Sequence, residues 1–312
     1  MVIIQAVVMA VNGGSFLAMF GKMGTAWMNL LRNNAYPGII ALGMCFVILS
    51  GGIDLSVGST LCACGAFLMY MLDEAASPLA ALGLPEPARF VIAILSTMLL
   101  GVLLGEVNGA LIAYGKLPPF IATLGTMKIF RSVTQQLTKT FNPTVPDNFK
   151  QIASFKIFGQ VILPILYWVA IVAIMHVVFK RVAFGRQTIA IGSNERAAKL
   201  SGINVGRIKR RIYVLCGLMC SIASVVYVAR IGSMDFANAG SGYEMDAIAA
   251  VIVGGTSMSG GKGSLVGAFL GMLIIGIMNN VLNTIGVPTF LCEAFKGAII
   301  IFAVLLQKKE TV

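Results

Sequence analysis

Long apolar runs, broken by short polar or glycine-rich stretches, fill this chain from end to end. Residues 2–20, 36–50, 55–72, 88–114, 119–137, 161–179, 212–229, 245–254, 264–284 and 289–306 are predominantly apolar. A helix of ~20 such residues crosses the ~30 Å hydrocarbon core of a bilayer. In lipid every backbone N–H and C=O must find its partner inside the protein, which a helix provides. The pattern therefore predicts an all-α fold, a polytopic helical membrane protein of about ten transmembrane helices. The first run is the weakest, because Asn12, Gly13, Gly14 and Ser15 interrupt it.

Glycine adds two periodic features. Gly101, Gly105 and Gly109, and again Gly263, Gly267 and Gly271, recur every fourth residue and so line one face of a helix. Small residues at that spacing let a neighbouring backbone approach closely; tight packing within the chain is favoured over contact with a second copy. The pattern Gly51-Gly52-x-x-x-Ser56-x-Gly58 recurs as Gly254-Gly255-x-x-x-Ser259-x-Gly261. Irregular backbone at membrane depth survives only where it is buried or lines a wet cavity, so interrupted helices are expected near the centre.

Composition agrees. The chain is 58% hydrophobic and 11% charged, with a mean hydropathy of +0.90, more apolar surface than a soluble domain can hide. The net charge of +11 is concentrated: Lys180, Arg181, Arg186, Arg196, Lys199, Arg207, Lys209, Arg210 and Arg211 face a single acid, Glu195. A basic stretch between two apolar runs marks a cytoplasmic face better than it marks nucleic-acid binding. With residues 180–211 inside, both termini fall inside, as do Lys116 and Lys262. Asp73, Glu74 and Asp147 fall outside, and so do Lys22, Arg32 and Lys150. The N-terminus lacks the basic region of a cleaved signal peptide.

Catalytic chemistry is not expected. The six cysteines lie in or beside apolar runs without ligand spacing, and no metal or cofactor is called for. The only histidine, His176, lies inside an apolar run and reads as a packed side chain. Residues 254–263 fail as a phosphate-binding loop, because Thr256 replaces the first glycine and Gly263 follows Lys262. Any nucleotide hydrolysis belongs to another chain.

Polar residues inside the apolar runs are the candidate functional positions. A carboxylate in a membrane segment costs about 2.5–3.5 kcal/mol on insertion scales. Asp54 or Ser56 caps the helix that follows the Gly51-Gly52 break, or contacts a translocated solute. Lys128, Arg131 and Gln135 share one helical face, with Gln136 beside them, and line a path or hydrogen-bond between helices. Asn279, Asn280 and Asn283 carry the same two readings. Glu244 and Asp246 enrich the first turn of a helix, with docking of a partner as the alternative. Ser193, Asn194, Glu195, Arg196, Ala197, Ala198, Lys199 and Leu200 read as a short capped helix ended by Ser201 and Gly202. Its small apolar face, formed by Ala197, Ala198 and Leu200, suits insertion into a cleft on a soluble partner.

Four segments carry a resemblance, in order: residues 43–59 (GMCFVILSGGIDLSVGS), 118–127 (PPFIATLGTM), 184–203 (FGRQTIAIGSNERAAKLSGI) and 240–264 (GSGYEMDAIAAVIVGGTSMSGGKGS). The chain resembles the permease subunits of ribose- and galactose-type ABC sugar importers, within the branched-chain amino acid/ribose permease superfamily. The resemblance implies one transmembrane permease domain over residues 1–312, with residues 180–211 as its cytoplasmic coupling loop and residues 193–200 as the coupling helix. It also implies a second permease copy, ATP-binding subunits, an extracytoplasmic sugar-binding protein and a small-molecule sugar, in the lipid of a prokaryotic cytoplasmic membrane. Importers of nucleosides, a sugar-like signal molecule or branched-chain amino acids remain as alternatives, and a stand-alone secondary transporter more distantly. Topology reporters fused at Ser193 and at the C-terminus are expected to read cytoplasmic, and one at Asn148 external. Opposite readings at Ser193 and the C-terminus would refute an even number of crossings.

Overall fold

The computed structural model describes residues 16–309 apart from 142 and 158. Among these the order is α1 (Phe16–Leu49), α2 (Val57–Leu72), α3 (Pro78–Ala81), α4 (Glu86–Ala113), α5 (Pro119–Thr138), α6 (Asp147–Ser154), then a hairpin of β1 (Lys156–Ile157) and β2 (Gln160–Val161). There follow α7 (Leu163–Arg181), α8 (Ala183–Ser193), α9 (Glu195–Leu200), α10 (Val205–Ile231), α11 (Tyr243–Val253), α12 (Leu265–Ile285) and α13 (Thr289–Lys309). The hairpin pairs antiparallel, Lys156 opposite Val161 and Ile157 opposite Gln160.

Two helices, α1 and α10, form the centre. The last turns of α1, from Ile39 to Leu49, are almost wholly buried, because α7, α10, α11 and α12 pack around them. This explains why that stretch is apolar on all sides. On its far side α10 packs on α4 and α2, and α5 leans on α2. The outer helices invert the soluble pattern. Leu95, Leu99 and Leu103 on α4, Ile174 and Val177 on α7, and Leu270 and Ile274 on α12 all point outward and exposed. Rows of exposed large apolar side chains on several helices fit a hydrocarbon solvent and not water.

Glycine sets the closest approaches. Gly101, Gly105 and Gly109 face α10, where an added Cβ would lie 2.6 Å from the Gly217 carbonyl, against the Tyr213 carbonyl, and 2.8 Å from the Arg210 carbonyl. Gly267 and Gly271 on α12 press in the same way on the carbonyls of Gly254 and Ala250 at the end of α11. Gly263 precedes α12 and packs on the Thr256 side chain instead. At the far end of α2, Asp73 ties down the loop that leads to α6. Burial pushes its carboxyl up, but hydrogen bonds outweigh it: the Thr144 and Ala76 N–H groups, the Thr144 hydroxyl and the Ala75 N–H together hold it below the usual carboxylate range.

A count of ten spans is not confirmed by the helices of the described residues. Among the described residues, four helices (α4, α7, α10 and α12) are long and apolar enough to cross a membrane by themselves. The run at 2–20 lies largely outside the described residues. The polar stretch before residue 36, expected as an external loop carrying Lys22 and Arg32, is part of α1, where several of its polar groups find partners on the helix and on a neighbour. Asn34 donates to the Leu30 carbonyl at 2.8 Å, Arg32 bonds Asn29, and Arg230 of α10 reaches Asn33. The run at 245–254 becomes α11, whose 11 residues extend only ~16 Å, about half a crossing. Residues 180–211, expected as a loop, are almost entirely helical, and α10 begins within the basic cluster.

The α4–α10 contact gives a stability test. Gly217→Ala is expected to destabilise by ~1–3 kcal/mol, because its Cβ would meet the Gly101 carbonyl. Gly125→Ala, which meets nothing within 4 Å, should leave stability unchanged or slightly raised. All six cysteines are buried, so a thiol-reactive dye reads unfolding in detergent directly. Equal melting of the two variants would contradict the packing assignment.

Candidate functional site

The two Gly-Gly breaks form the same type of cap, shifted by one residue relative to the sequence repeat: the left-handed glycine is the first of the pair at Gly51 and the second at Gly255. After α1, the Gly51 N–H bonds the Ile48 carbonyl at 2.9 Å and the Gly52 N–H bonds the Val47 carbonyl at 3.0 Å, with Gly51 at φ +78. After α11, the Gly255 N–H bonds the Ile252 carbonyl at 2.9 Å and the Thr256 N–H the Val251 carbonyl at 3.1 Å, with Gly255 at φ +86. Each is a left-handed helix cap that satisfies carbonyls the helix leaves open, and glycine adopts it without Cβ strain. The breaks also meet: the Gly261 N–H donates to the Leu49 carbonyl at 2.9 Å.

Between the breaks lies a buried polar chain. Asp54 Oδ1 accepts from the Ser56 N–H at 2.9 Å and from the Ser56 hydroxyl at 2.6 Å. Asn108 Nδ2 of α4 donates to Ser56 Oγ at 2.7 Å, and the Thr126 hydroxyl of α5 donates to Asn108 Oδ1 at 2.6 Å. All four side chains are at most 3% exposed. Every donor in the chain points toward the carboxylate, so its polarity is fixed from Thr126 to Asp54. Thr123 and Tyr213 add weaker bonds, both 3.4 Å, to the Ile53 carbonyl. Asp54 thus serves the amide just ahead of α2, while the Ser56 side chain makes no cap bond of its own.

The start of α2 meets the start of α11. A Cβ on Gly58 would strike the Gly240 carbonyl and lie 2.9 Å from a Glu244 carboxylate oxygen. Two helix N-termini, each with a positive dipole end, therefore converge with Asp54 and Glu244 beside them. Arg131 donates to the Ala239 carbonyl at 2.6 Å and Gln135 to the Ala237 carbonyl at 3.3 Å, so these two hold the segment leading into α11. Lys128 and Gln136 are exposed and not part of that contact. Asp246 pairs with Lys296 of α13 at 2.8 Å, and Lys296 also reaches Glu293 at 2.8 Å. Asn279, Asn280 and Asn283 of α12 line a cavity of about 230 Å³ that reaches Asp246. His176 is half-buried on α7 and joins none of these groups.

The short helix α9 is capped at both ends. Asn194 Oδ1 accepts from the Ala197 N–H at 3.0 Å. Gly202, at φ +82, closes the other end: its N–H bonds the Lys199 carbonyl, and the Ile203 N–H bonds the Ala198 carbonyl. Ser193 and Asn194, Glu195, Arg196, Ala197 and Lys199 are exposed, and Leu200 is 89% exposed. Ala198 corrects the expected apolar face: it is 4% exposed and packs inward. Helical spacing puts Ala197 and Leu200 on one face and Ala198 on the other. At the root of α9, a Cβ on Gly192 would strike the Leu49 carbonyl and lie 2.5 Å from the Gly261 nitrogen. The end of α8 that leads into the exposed helix therefore packs against both breaks.

Sequence reasoning passed over Asn108, Thr123, Thr126, Tyr213 and Lys296. Thr123 and Thr126 carry a readable signal, a polar pair at the three-residue spacing of one helical face. Asn108 sits beside Gly109, on the face that meets α10 and α2. Asp54→Leu and Asn108→Leu are each expected to strand buried partners at ~1–3 kcal/mol per group, while Asp54→Asn keeps the acceptor and most of the stability. Thiol-dye melting and yield of folded protein measure this. Parental melting in both leucine variants would mean the chain of bonds holds nothing together.

Comparison with known proteins accords with this arrangement. A family model described as "Branched-chain amino acid transport system / permease component" matches residues 27–304. The ribose import permease protein of Bacillus subtilis (strain 168) is 42% identical over 291 residues, covering 91% of this chain and 85% of that protein. The ribose import permease protein of Escherichia coli (strain K12) is 39% identical over 291 residues, covering 90% and 85%. The xylose transport system permease protein of the same strain is 34% identical over 338 residues, covering 88% and 83%. No solved structure matches the chain. With a match across nearly its whole length, and with helices of membrane length, the chain belongs to the permease-component family of branched-chain amino acid transport systems, as a multi-pass membrane transport component and not an enzyme.

Proposed function

We propose that this chain is the membrane-spanning permease subunit of an ATP-binding-cassette importer for a monosaccharide. A separate ATPase drives it, an extracytoplasmic binding protein delivers the sugar, and a second permease copy completes the path. It spans the cytoplasmic membrane of a prokaryote with both termini inside. Relatives named for ribose and for xylose, at 34–42% identity over about nine-tenths of the chain, favour a pentose over the amino acids in the family description.

The observation that carries the coupling half of this reading is α9. It is too short to be stable alone in water, yet it is capped at both ends and projects Leu200 at 89% exposure. An exposed leucine beside Arg196 and Lys199 suits a partner cleft with an apolar floor and an acidic rim. Gly192, in the last turn of α8, rests on Leu49 and Gly261, so α9 is joined to both breaks through a single connecting residue, Asn194. Lys209 to Glu195, 2.7 Å, and Arg210 to Glu106, 3.2 Å, brace α9 and α4 against α10.

Leu200→Asp and Ala197→Asp are the tests, because both side chains face outward and the variants should still insert and fold. In the assembled transporter, uptake is expected to fall about tenfold or more, the factor that ~1.4 kcal/mol makes. ATP hydrolysis should no longer respond to loaded binding protein. Normal uptake and normal stimulation in both variants would sink the coupling role and leave α9 a solvated surface helix.

A further inference from the structure

We propose that the cavity between α1, α11 and α12 is a binding station for one neutral monosaccharide, an inference that rests on the importer reading above and adds a site to it. The cavity lies toward the end of α12 opposite the coupling helix and measures about 230 Å³. That is below the ~300–1,000 Å³ of pockets that hold drug-sized ligands, and suits a single small ring. Its lining is rich in amides: Asn34 from α1, and Asn279 and Asn280 from α12. The side-chain oxygens of Asn279 and Asn280 are fully buried and accept no hydrogen bond among the described residues. A buried acceptor left open is costly, and a sugar hydroxyl supplies the donor.

Charge and shape argue for a neutral polyol. The one carboxylate in the lining, Asp246, is held by Lys296 at 2.8 Å, so it is not left to bind an ammonium group. Arg230 is engaged behind the wall, with its guanidinium 5.8 Å from the Tyr36 ring centre and bonded to Asn33. Among the described residues of the lining, none is a lysine or arginine that could receive a carboxylate. Among the described residues, Leu30 and Pro37 are the aliphatic members of the lining, too little to form a socket for a branched aliphatic side chain. Tyr36 and Tyr243, with ring centres 5.8 Å apart and planes inclined by 30°, offer faces against which the C–H side of a pyranose or furanose packs. Asp246 and Tyr243 belong to the first turn of α11, so an occupant touches the half-helix whose other end adjoins the root of α9.

The test uses proteoliposomes carrying the assembled transporter, with labelled ribose, xylose and leucine as probes. Parent, Asn279→Leu and Asn280→Leu are compared for uptake and for ATP hydrolysis stimulated by sugar-loaded binding protein. Uptake of a pentose is expected to fall about tenfold or more in the variants while stimulation of hydrolysis is retained. Parental uptake in both variants overturns the station and leaves the importer reading standing. A parent complex that takes up neither pentose, or takes up leucine instead, overturns that reading and the station with it. Where leucine at either position prevents assembly, Asn280→Cys is the smaller change. Its thiol is expected to react with a water-soluble maleimide several times more slowly when the pentose and its binding protein are present. Labelling indifferent to the sugar overturns the proposal.

Discussion

A bilayer offers no hydrogen bonds, so a helix that stops inside it must have its open carbonyls and amides satisfied by the chain itself. The bond from the Gly261 N–H to the Leu49 carbonyl, 2.9 Å, is where this constraint bears hardest. It joins the end of α1 to the loop that follows α11, at a point where a side chain on Gly192 would not fit. Each break closes its own helix with a left-handed glycine, and the two then pair backbone to backbone. Without glycine at these points the surfaces would be held apart, and the amides between them would be left dry and unpaired. The packing of α8, and so the seat of α9, depends on this contact.

The same constraint explains where the charges are. The starts of α2 and α11 meet at Gly58 and Gly240, and two helix N-termini facing one another would repel. Asp54 lies just before the first and Glu244 within the first turn of the second, close to Gly58 as well. Both carboxylates sit where the dipoles are positive, and Asp54 is further held by a line of donors from α4 and α5. Arg131 then secures the incoming segment through the Ala239 carbonyl. Residues that would be expensive singly are inexpensive together, because each one satisfies an opening left by another.

Much of this was legible in the sequence, and what was not has a physical cause. The apolar runs predict the helices α2, α4, α5, α7, α12 and α13 with small shifts at their ends, and α10 with its first two turns missed because they are basic, since in lipid hydrophobic length is the dominant signal. Hydropathy failed at α1, where Asn29, Arg32 and Asn33 read as a loop but are paired on the helix and by Arg230. It also failed at α11, because an apolar run does not say whether the crossing is finished by helix or by extended chain. The repeat of Gly-Gly was visible as a pattern, yet only the hydrogen bonds reveal that both copies are the same cap. Asp54 was visible as a charge out of place. Its partners Asn108 and Thr126 were not, because an amide or hydroxyl in an apolar helix costs far less than a carboxylate and attracts less notice. Ala198 was misjudged through composition alone, although the spacing from Leu200 already put it on the opposite face.

The short helix α11 gives these parts a common mechanical element. Its first turn, with Tyr243 and Asp246, borders the amide-lined cavity. Its last turn, through Ala250 and Gly254, lies under Gly271 and Gly267 of α12, and the loop beyond it holds Leu49 beside the root of α9. Left-handed glycines stand at both ends, Gly242 at φ +86 and Gly255 at φ +86, a backbone geometry that glycine adopts without Cβ strain. Spatial contiguity is not by itself coupling, which requires two arrangements that both sites bias. The Asp246–Lys296 pair, at 2.8 Å, ties the first turn of α11 to α13. The glycine seam ties its other end to α12: with backbone against backbone there is no side chain to yield, so the two helices pack there as one unit.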